Sequence, residues 1–174
     1  PWYETENQQI QSLESTKKNI ELYGELQFDH LTKEDGHLSQ MNILSVIQDS
    51  SGFIWFATEY GVNRFNGKDS FVFLHNAQNE NSLSSNWVWE LMEDSKGNIW
   101  MGTLNGGLNK FSPSTGQFKH YKYDASQKNS ISSNEIKSLH EDANGTIWAG
   151  CRNGLNKYSE DSDDFVRYIH DPDD

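Results

Sequence analysis

Three aspartates recur in one setting and are the first candidates for chemistry. Asp49, Asp94 and Asp142 each stand three residues before a glycine, in segments that resemble one another. Such loops can hold calcium, but a calcium site needs several oxygen ligands and each copy offers a single carboxylate. The Asp-x-x-Gly spacing suits a type I turn that ends in a left-handed glycine. Each aspartate is therefore predicted to cap a turn between two strands.

Catalytic and metal-binding residue sets are not marked by spacing. A hydrolase needs two placed carboxylates or a nucleophile held by a base, and no such pair stands out among the 26 acidic residues. His30 and His120 occupy matching positions, but Phe73 and Arg167 replace them in other copies, which is not the pattern of a ligand set. The sequence predicts no enzyme, no metal site and no cofactor.

The charge of the chain excludes one class of partner. A net charge of -12 and a pI near 4.8 disfavour nucleic acid, because phosphate binding depends on lysine and arginine. No run approaches the roughly 20 apolar residues that span a bilayer. The lone Cys151 excludes an internal disulfide.

A repeat organises the rest of the sequence. Its copies are QDSSGFIWFAT (48–58), EDSKGNIWMGT (93–103) and EDANGTIWAGC (141–151), and their tryptophans are 45 and 48 residues apart. Four short strands of one propeller blade occupy about this length. Apolar neighbours flank each tryptophan, which favours packing between blades over stacking on sugars. The predicted repeat core is Trp55, Trp100, Trp148, Gly52, Gly97 and Gly145.

The fold prediction is all-β, with propeller blades of four antiparallel strands. The pattern indicates about three blades plus one orphan strand, which is a partial propeller. Residues 1–25 are either a flexible leader or a short helix, and residues 26–174 are the partial propeller. Its parts are an orphan outer strand at 26–32 and blades at 38–75, 83–123 and 131–170.

The segment LTKEDGHLSQMNILSVIQDSSGFIWFATEYGVNRFNG resembles the opening of the two-component regulator propeller family, and IWMGTLNGGLNKF and IWAGCRNGLNKY resemble its repeat core. The resemblance implies a periplasmic sensor at the N-terminal end of a bacterial membrane protein. Further blades, a transmembrane helix and a histidine kinase or diguanylate cyclase output would follow in such a protein. Contact with the membrane would come only through that downstream helix.

Such propellers usually contain more than three blades, so this chain is expected to leave sheet edges open. Open edges invite pairing. Self-association through them is therefore predicted.

Binding residues are sought where one copy departs from the others, because the scaffold does not require those residues. Trp87 aligns with Asn42 and Glu135, and Trp89 aligns with Leu44 and Lys137. Local packing and aromatic contacts that face the propeller channel or a neighbouring chain both remain open for these tryptophans. The loops after the tryptophan strands vary too, and variable loops on a rigid scaffold often carry recognition. The candidate ligand-binding residues are Glu59, Tyr60, Trp87, Trp89, Asn105, Arg152 and Asn153.

The leading functional hypothesis is a periplasmic sensor that binds an oligosaccharide or another extracellular small molecule. Aromatic and amide side chains suit such ligands. A protein-interaction or dimerisation scaffold is the alternative, and a propeller glycan hydrolase or lyase is a third hypothesis.

Overall fold

The computed structural model describes residues 31–34, 36 and 38–170, and this part of the chain is all-β, which confirms the predicted fold class. Its strands belong to one compact unit, residues 32–174. The helix considered within 1–25 lies outside the described residues, as does most of the orphan strand predicted at 26–32. Among the described residues, no helix combines the length and the hydropathy needed to cross a membrane.

Twelve strands in the described residues form three antiparallel sheets, and each sheet is a four-stranded meander in chain order. Sheet 1 contains β1 (Ile43–Gln48), β2 (Ile54–Thr58), β3 (Gly61–Phe65) and β4 (Ser70–Phe73). Sheet 2 contains β5 (Val88–Glu93), β6 (Ile99–Thr103), β7 (Leu108–Ser112) and β8 (Gln117–Tyr121). Sheet 3 contains β9 (Ile136–Glu141), β10 (Ile147–Cys151), β11 (Gly154–Ser159) and β12 (Asp164–Tyr168).

The tryptophan-bearing strands explain how the sheets stack. Successive side chains of a strand point to opposite faces. In β6, Trp100 therefore packs toward sheet 3, while Ile99 and Met101 pack with Trp55 of sheet 1. Every residue of β6 is buried, because sheet 1 covers one face of this strand and sheet 3 covers the other.

The inner strands hold the three sheets in sequence. Strand β1 packs against β5, and β5 packs against β9, which is the arrangement of neighbouring blades around an axis. Trp55 and Trp100 are fully buried. At roughly 200 Å² per indole and about 25 cal/mol per Å², burying each ring contributes at most about 5 kcal/mol.

The rings of Trp55 and Trp100 also stack on an aromatic residue of their own outer strand. Trp55 lies 5.4 Å from Phe73 with ring planes 16° apart, and Trp100 lies 5.9 Å from Tyr121 at 15°. A basic side chain stands beside each indole: the Arg64 guanidinium is 5.2 Å from the Trp55 ring, and the Lys110 ammonium is 5.1 Å from that of Trp100. The outer strand is thereby tied to the centre of its sheet.

The repeated aspartates join the turns to the buried tryptophans. Asp94 accepts hydrogen bonds from the backbone N–H groups of Lys96 and Asn98 at 3.0 and 2.8 Å, and from the Trp100 indole at 2.7 Å. Asp49 and Asp142 bind their own turns and indoles in the same way. The predicted turn capping is confirmed, and the glycines that end these turns have left-handed backbones: Gly52 (φ 89°), Gly97 (78°) and Gly145 (78°).

A second repeated contact joins one sheet to the next. The backbone N–H and the hydroxyl of Ser50 donate to the Glu93 carboxylate at 2.8 and 2.7 Å. Ser95 makes the same two bonds to Glu141. Ala143 holds this position in sheet 3, so that copy has the N–H without the hydroxyl.

Removing the aspartate contact is expected to lower the free energy of unfolding strongly. Replacing Asp94 by alanine leaves the buried Trp100 N–H and two turn N–H groups without their acceptor. We expect Asp94→Ala to lower the free energy of unfolding by about 2–4 kcal/mol in urea denaturation. The matched control, Asp161→Ala, changes an exposed turn aspartate and should stay within about 0.5 kcal/mol of the parent protein. Equal losses in the two variants would contradict the assigned role of Asp94.

The same contact predicts a pH dependence. Burial raises the pKa of Asp94, but the hydrogen bonds from Trp100, Asn98 and Lys96 outweigh it and hold the pKa below its usual value. A carboxyl group whose folded pKa lies below its unfolded value of about 3.9 stabilises the fold above that pH, and loses this contribution as the pH falls through the folded pKa. We expect urea titrations to show stability falling below about pH 4, with a shallower fall in Asp94→Asn. Parallel pH profiles for the two proteins would count against this linkage.

Candidate ligand-binding face

The loops that follow the tryptophan strands lie beside the starts of the inner strands. We call this edge of the sheets the loop face, formed by residues 59–61, 104–107 and 152–154 together with the starts of the inner strands at 42–44, 86–89 and 134–137. Within sheets 2 and 3, the Leu104 N–H donates to the Trp87 carbonyl and the Arg152 N–H to the Glu135 carbonyl, both at 3.0 Å.

Bonds between sheets complete this edge. The Gly61 N–H donates to the Asn86 carbonyl at 2.7 Å, and the Gly107 N–H donates to the Asn134 carbonyl at 3.0 Å. The inner strands β5 and β9 therefore each start between a loop of their own sheet and a loop of the preceding sheet. The loop face is a hydrogen-bonded layer that joins neighbouring blades.

Glycine is required where these loops turn. Gly107 has φ +81°, and a Cβ placed there would lie 2.2 Å from the Tyr121 carbonyl oxygen. Gly61 has φ +97° and would bring a Cβ within 2.4 Å of the Phe73 carbonyl oxygen. The absence of a side chain lets the loop approach the end of the outer strand.

Two of the predicted residues, Trp87 and Trp89, lie together on this face. Their ring centroids are 6.1 Å apart with planes at 39°, and Trp87 is 36% exposed. Trp89 falls at an irregularity in the pairing of β5 with β6, between Val88 and Glu90. Such a bulge redirects a side chain out of the normal alternation.

Charged residues of sheet 3 adjoin these tryptophans. The Lys137 ammonium is 4.7 Å from the Trp89 ring centroid and 2.6 Å from the Glu135 carboxylate. The Arg152 guanidinium is 3.4 Å from the same carboxylate. The hydrogen bond from Lys137 lowers the pKa of Glu135 below its usual value, and Arg152 adds to that effect. We call Trp87, Trp89, Glu135, Lys137 and Arg152 the seam cluster, because it crosses from sheet 2 to sheet 3.

The seam cluster offers groups that suit a polar organic ligand. Trp87 presents an exposed aromatic surface, and the Arg152 side chain is 73% exposed. The buried indole N–H of Trp89 has no hydrogen-bond partner within the described residues. Aromatic rings can cover the apolar face of a sugar, while the carboxylate and guanidinium can bind its hydroxyl groups.

The other nominated residues lie on the loop face outside this cluster. Glu59 accepts a 2.6 Å hydrogen bond from Asn42, and Tyr60 is exposed. Asn105 and Asn153 are exposed loop residues. In the described part of the chain, no hydrogen bond or ring contact joins these four residues to the seam cluster.

Glu135 and Lys137 were missing from the residues nominated by sequence. They occupy the positions at the start of sheet 3 that Trp87 and Trp89 occupy at the start of sheet 2, with Glu135 and Trp87 one residue before β9 and β5. Because neighbouring inner strands pack side by side, the aligned positions of successive copies come into contact. Both residues can therefore be found in the sequence as the residues of the next copy that align with Trp87 and Trp89.

A cavity of about 180 Å³ lies away from the loop face, at the Asp-x-x-Gly turns of sheets 2 and 3. Its carboxylates already have partners: Asp94 binds Trp100, Glu141 binds Ser95 and Glu160 pairs with Lys96. These groups hold the sheets together, so we do not nominate the cavity as the binding site. Among the described residues, no group of three or more acidic, histidine or cysteine side chains could hold a metal ion.

The fold defines a class of protein. Four-stranded meanders that stack through central tryptophans, with their inner strands side by side, are blades of a β-propeller. The profile of the two-component regulator propeller family matches residues 37–60, 82–105 and 130–153, once in each blade. The chain belongs to this repeat family.

Solved structures show the same architecture. The chain is similar to the extracellular domain of the candidate hybrid two-component system BT3049 from B. thetaiotaomicron, with 26% identity and a TM-score of 0.76 over 81% of this chain and 20% of that one. It also resembles the extracellular domain of the candidate one-component system BT4673 from the same organism, with 24% identity and a TM-score of 0.63 over 84% of this chain and 21% of that one. The chain thus spans about a fifth of each. No curated protein matches it.

The glycine at the loop face generates a matched test. We expect Gly107→Ala to lower the free energy of unfolding by more than about 2 kcal/mol, because it combines a left-handed backbone with a clash against Tyr121. Gly116 also has a left-handed backbone (φ +69°), but nothing lies within 4 Å of a Cβ built there. Gly116→Ala should therefore cost only about 1 kcal/mol. Chemical denaturation of both variants checks the difference, and equal losses would show that the close approach at Gly107 is unimportant.

Proposed function

We propose that this chain is part of the extracytoplasmic sensor region of a bacterial signalling protein of the two-component type, and that its ligand binds at the seam cluster. The observation that carries the proposal is the placement of Trp87 and Trp89 beside Glu135, Lys137 and Arg152 on the loop face. The repeat core does not require these two tryptophans, since Asn42 and Leu44 serve at the same positions in sheet 1.

The family and its relatives support the cellular setting. The solved part of BT3049 is the extracellular domain of a hybrid two-component system. This chain shares the fold of that domain and carries the family's repeats. We infer an extracytoplasmic, periplasmic position, with the output carried by another part of a longer protein. The role of this chain is recognition, without catalysis.

An oligosaccharide is the ligand class we favour. The exposed ring of Trp87 can pack on the face of a sugar, and the Glu135 carboxylate and the Arg152 guanidinium can bind polar groups around it. The charged residues already bind one another, so a ligand has to exchange part of that network for its own hydroxyl groups.

The position of the seam cluster also suggests how binding can be transmitted. The tryptophans belong to sheet 2 and the charged residues to sheet 3. A ligand that contacts both favours whichever arrangement of the two blades fits it better. A ligand shifts a conformational equilibrium only through such a difference in affinity.

Calorimetric titration with a panel of neutral and acidic trisaccharides tests the proposal. We expect a member of the panel to bind, and Trp87→Ala to weaken its affinity by about tenfold or more, which corresponds to about 1.4 kcal/mol. Glu135→Gln should also weaken binding, because the amide changes the hydrogen bonds available to ligand hydroxyl groups.

Phe71→Ala is the matched control, since Phe71 is an aromatic residue of the outer strand β4 and is 60% exposed. It should leave the affinity unchanged. A bound trisaccharide whose affinity falls in Phe71→Ala and is unaffected by Trp87→Ala would place the site elsewhere. Failure of every trisaccharide to bind would reject this ligand class.

A further inference from the structure

Four polar side chains hydrogen-bond to one another at the outer rim of the contact between sheets 2 and 3. The hydroxyls of Tyr121 in β8 and Tyr158 in β11 donate to one oxygen of the Asp163 carboxylate, at 2.7 and 2.6 Å. The Lys119 ammonium of β8 pairs with the other oxygen. We call Lys119, Tyr121, Tyr158 and Asp163 the rim cluster. Its carboxylate lies in the turn between β11 and β12, and it ties sheet 3 to the outer strand of sheet 2.

The backbone of Asp163 shows that the turn alone does not explain this residue. Asp163 has φ +56°, and it is the only residue other than glycine with a left-handed backbone in the described part of the chain. Strand pairing places Gly116, with φ +69°, at the same position of the turn in sheet 2. Glycine adopts this backbone at lower cost than an L residue. The contacts of the Asp163 carboxylate offset that cost.

The contact between sheets 1 and 2 has the same ring packing without the polar groups. The equivalents of the rim cluster in that contact, taken in the same order by strand pairing, are Phe71, Phe73, Phe111 and Gly116. There the rings of Phe73 and Phe111 are 5.2 Å apart with planes at 58°. The two tyrosine rings of the rim cluster are 5.7 Å apart at 66°. Ring packing between blades therefore needs no hydroxyl, and the scaffold does not require the rim cluster.

Water reaches the rim cluster from outside. The cluster lines a cavity of about 490 Å³, and the side chains of Lys119 and Asp163 are 52% and 37% exposed. Burial and the neighbouring Tyr158 hydroxyl raise the pKa of Tyr121, so its hydroxyl stays protonated and donates to the carboxylate. If this rim opens, its polar groups gain hydrogen bonds from water. Phenylalanine rings that separate gain no such replacement, so the contact through the rim cluster is the more reversible of the two.

We propose that the rim cluster is a latch that sets how closely sheets 2 and 3 approach each other. The seam cluster joins the same two sheets at the loop face. Opening or closing the latch therefore changes the arrangement of the two blades that a ligand at the seam cluster would meet. This regulatory role rests on the proposed function, whereas the latch itself does not.

Backbone amides that donate from one sheet to the next report the opening of each contact separately. Ser95 and Gly107 donate across the contact between sheets 2 and 3, one at the Asp-x-x-Gly turns and the other at the loop face. Ser50 and Gly61 make the equivalent bonds between sheets 1 and 2. Native-state amide exchange measured by NMR therefore compares the two contacts within one protein.

Asp163→Gly removes the carboxylate and gives the turn the residue that suits its backbone. We expect the two amides between sheets 2 and 3 to exchange about tenfold faster or more, and the two between sheets 1 and 2 to stay within about twofold of the parent. The matched control is Asp161→Gly, at an exposed position of the same turn, and it should change none of the four rates. If Asp163 serves only its turn, glycine will leave all four rates unchanged or slower, and that result would overturn the proposal.

The double variant Tyr121→Phe/Tyr158→Phe tests whether the carboxylate acts through the two hydroxyls, and it leaves the turn intact. It should accelerate exchange at the same two amides, so it also carries the test if Asp163→Gly does not fold. Adding Asp163→Gly to the double variant should change these rates by less than about twofold, because only the exposed pair with Lys119 remains to be lost. A full Asp163→Gly effect in this background, or equal acceleration of all four amides, contradicts a latch. These measurements use no ligand, so their failure is distinct from the failure of every trisaccharide to bind.

Discussion

The hydrogen bond from a buried indole to a turn aspartate is the contact on which each blade depends. A tryptophan in the middle of a stack of sheets supplies a large apolar area, but it also brings an N–H group that needs an acceptor. In all three sheets the acceptor is an aspartate six residues earlier, at 2.7–2.9 Å. The same carboxylate receives two backbone N–H groups of its turn, so one side chain fixes the turn, the register of two strands and the orientation of the ring.

This local solution explains how the fold can be repeated with little aliphatic content. Hydrophobic residues make up 34% of the chain, and aromatic residues make up 13% of the chain. Trp55 and Trp100 each stack on an aromatic residue of their own outer strand and meet Phe111 or Tyr158 of the next sheet. The residues that join blades are therefore similar in each copy, whereas the loops at the loop face differ between copies. Trp87 and Trp89 lie on that variable edge, where their side chains do not compete with the packing between sheets.

Most of the fold could be predicted because its determinants are local and repeated. The Asp-x-x-Gly spacing, the Trp strand and the regular period mark the turns, the central strands and the length of a blade. The indole acceptor was not predicted, because Asp49 and Trp55 are separated by a turn whose geometry decides whether their side chains meet. The seam cluster was predicted only in part for a related reason. Trp87 and Trp89 differ from their counterparts within one alignment, whereas Glu135 and Lys137 become visible only when adjacent blades are considered together.

The three tryptophans share one local contact and differ in their burial, and this difference separates what a blade holds by itself from what its neighbour adds. Trp148 bonds to Asp142 as Trp55 bonds to Asp49, although Trp148 is half-buried and Trp55 is fully buried. The turn and the strand register therefore do not require a following sheet. Burial of the ring does require one, and burial is the larger source of stability. Polar contacts within a sheet thus determine the turns and the strand register of a single blade. Apolar contacts between sheets supply the stability that a single sheet with two apolar faces lacks. Under the proposed function, a ligand at the seam cluster would act on the second set of contacts, because it would touch two blades and change no turn.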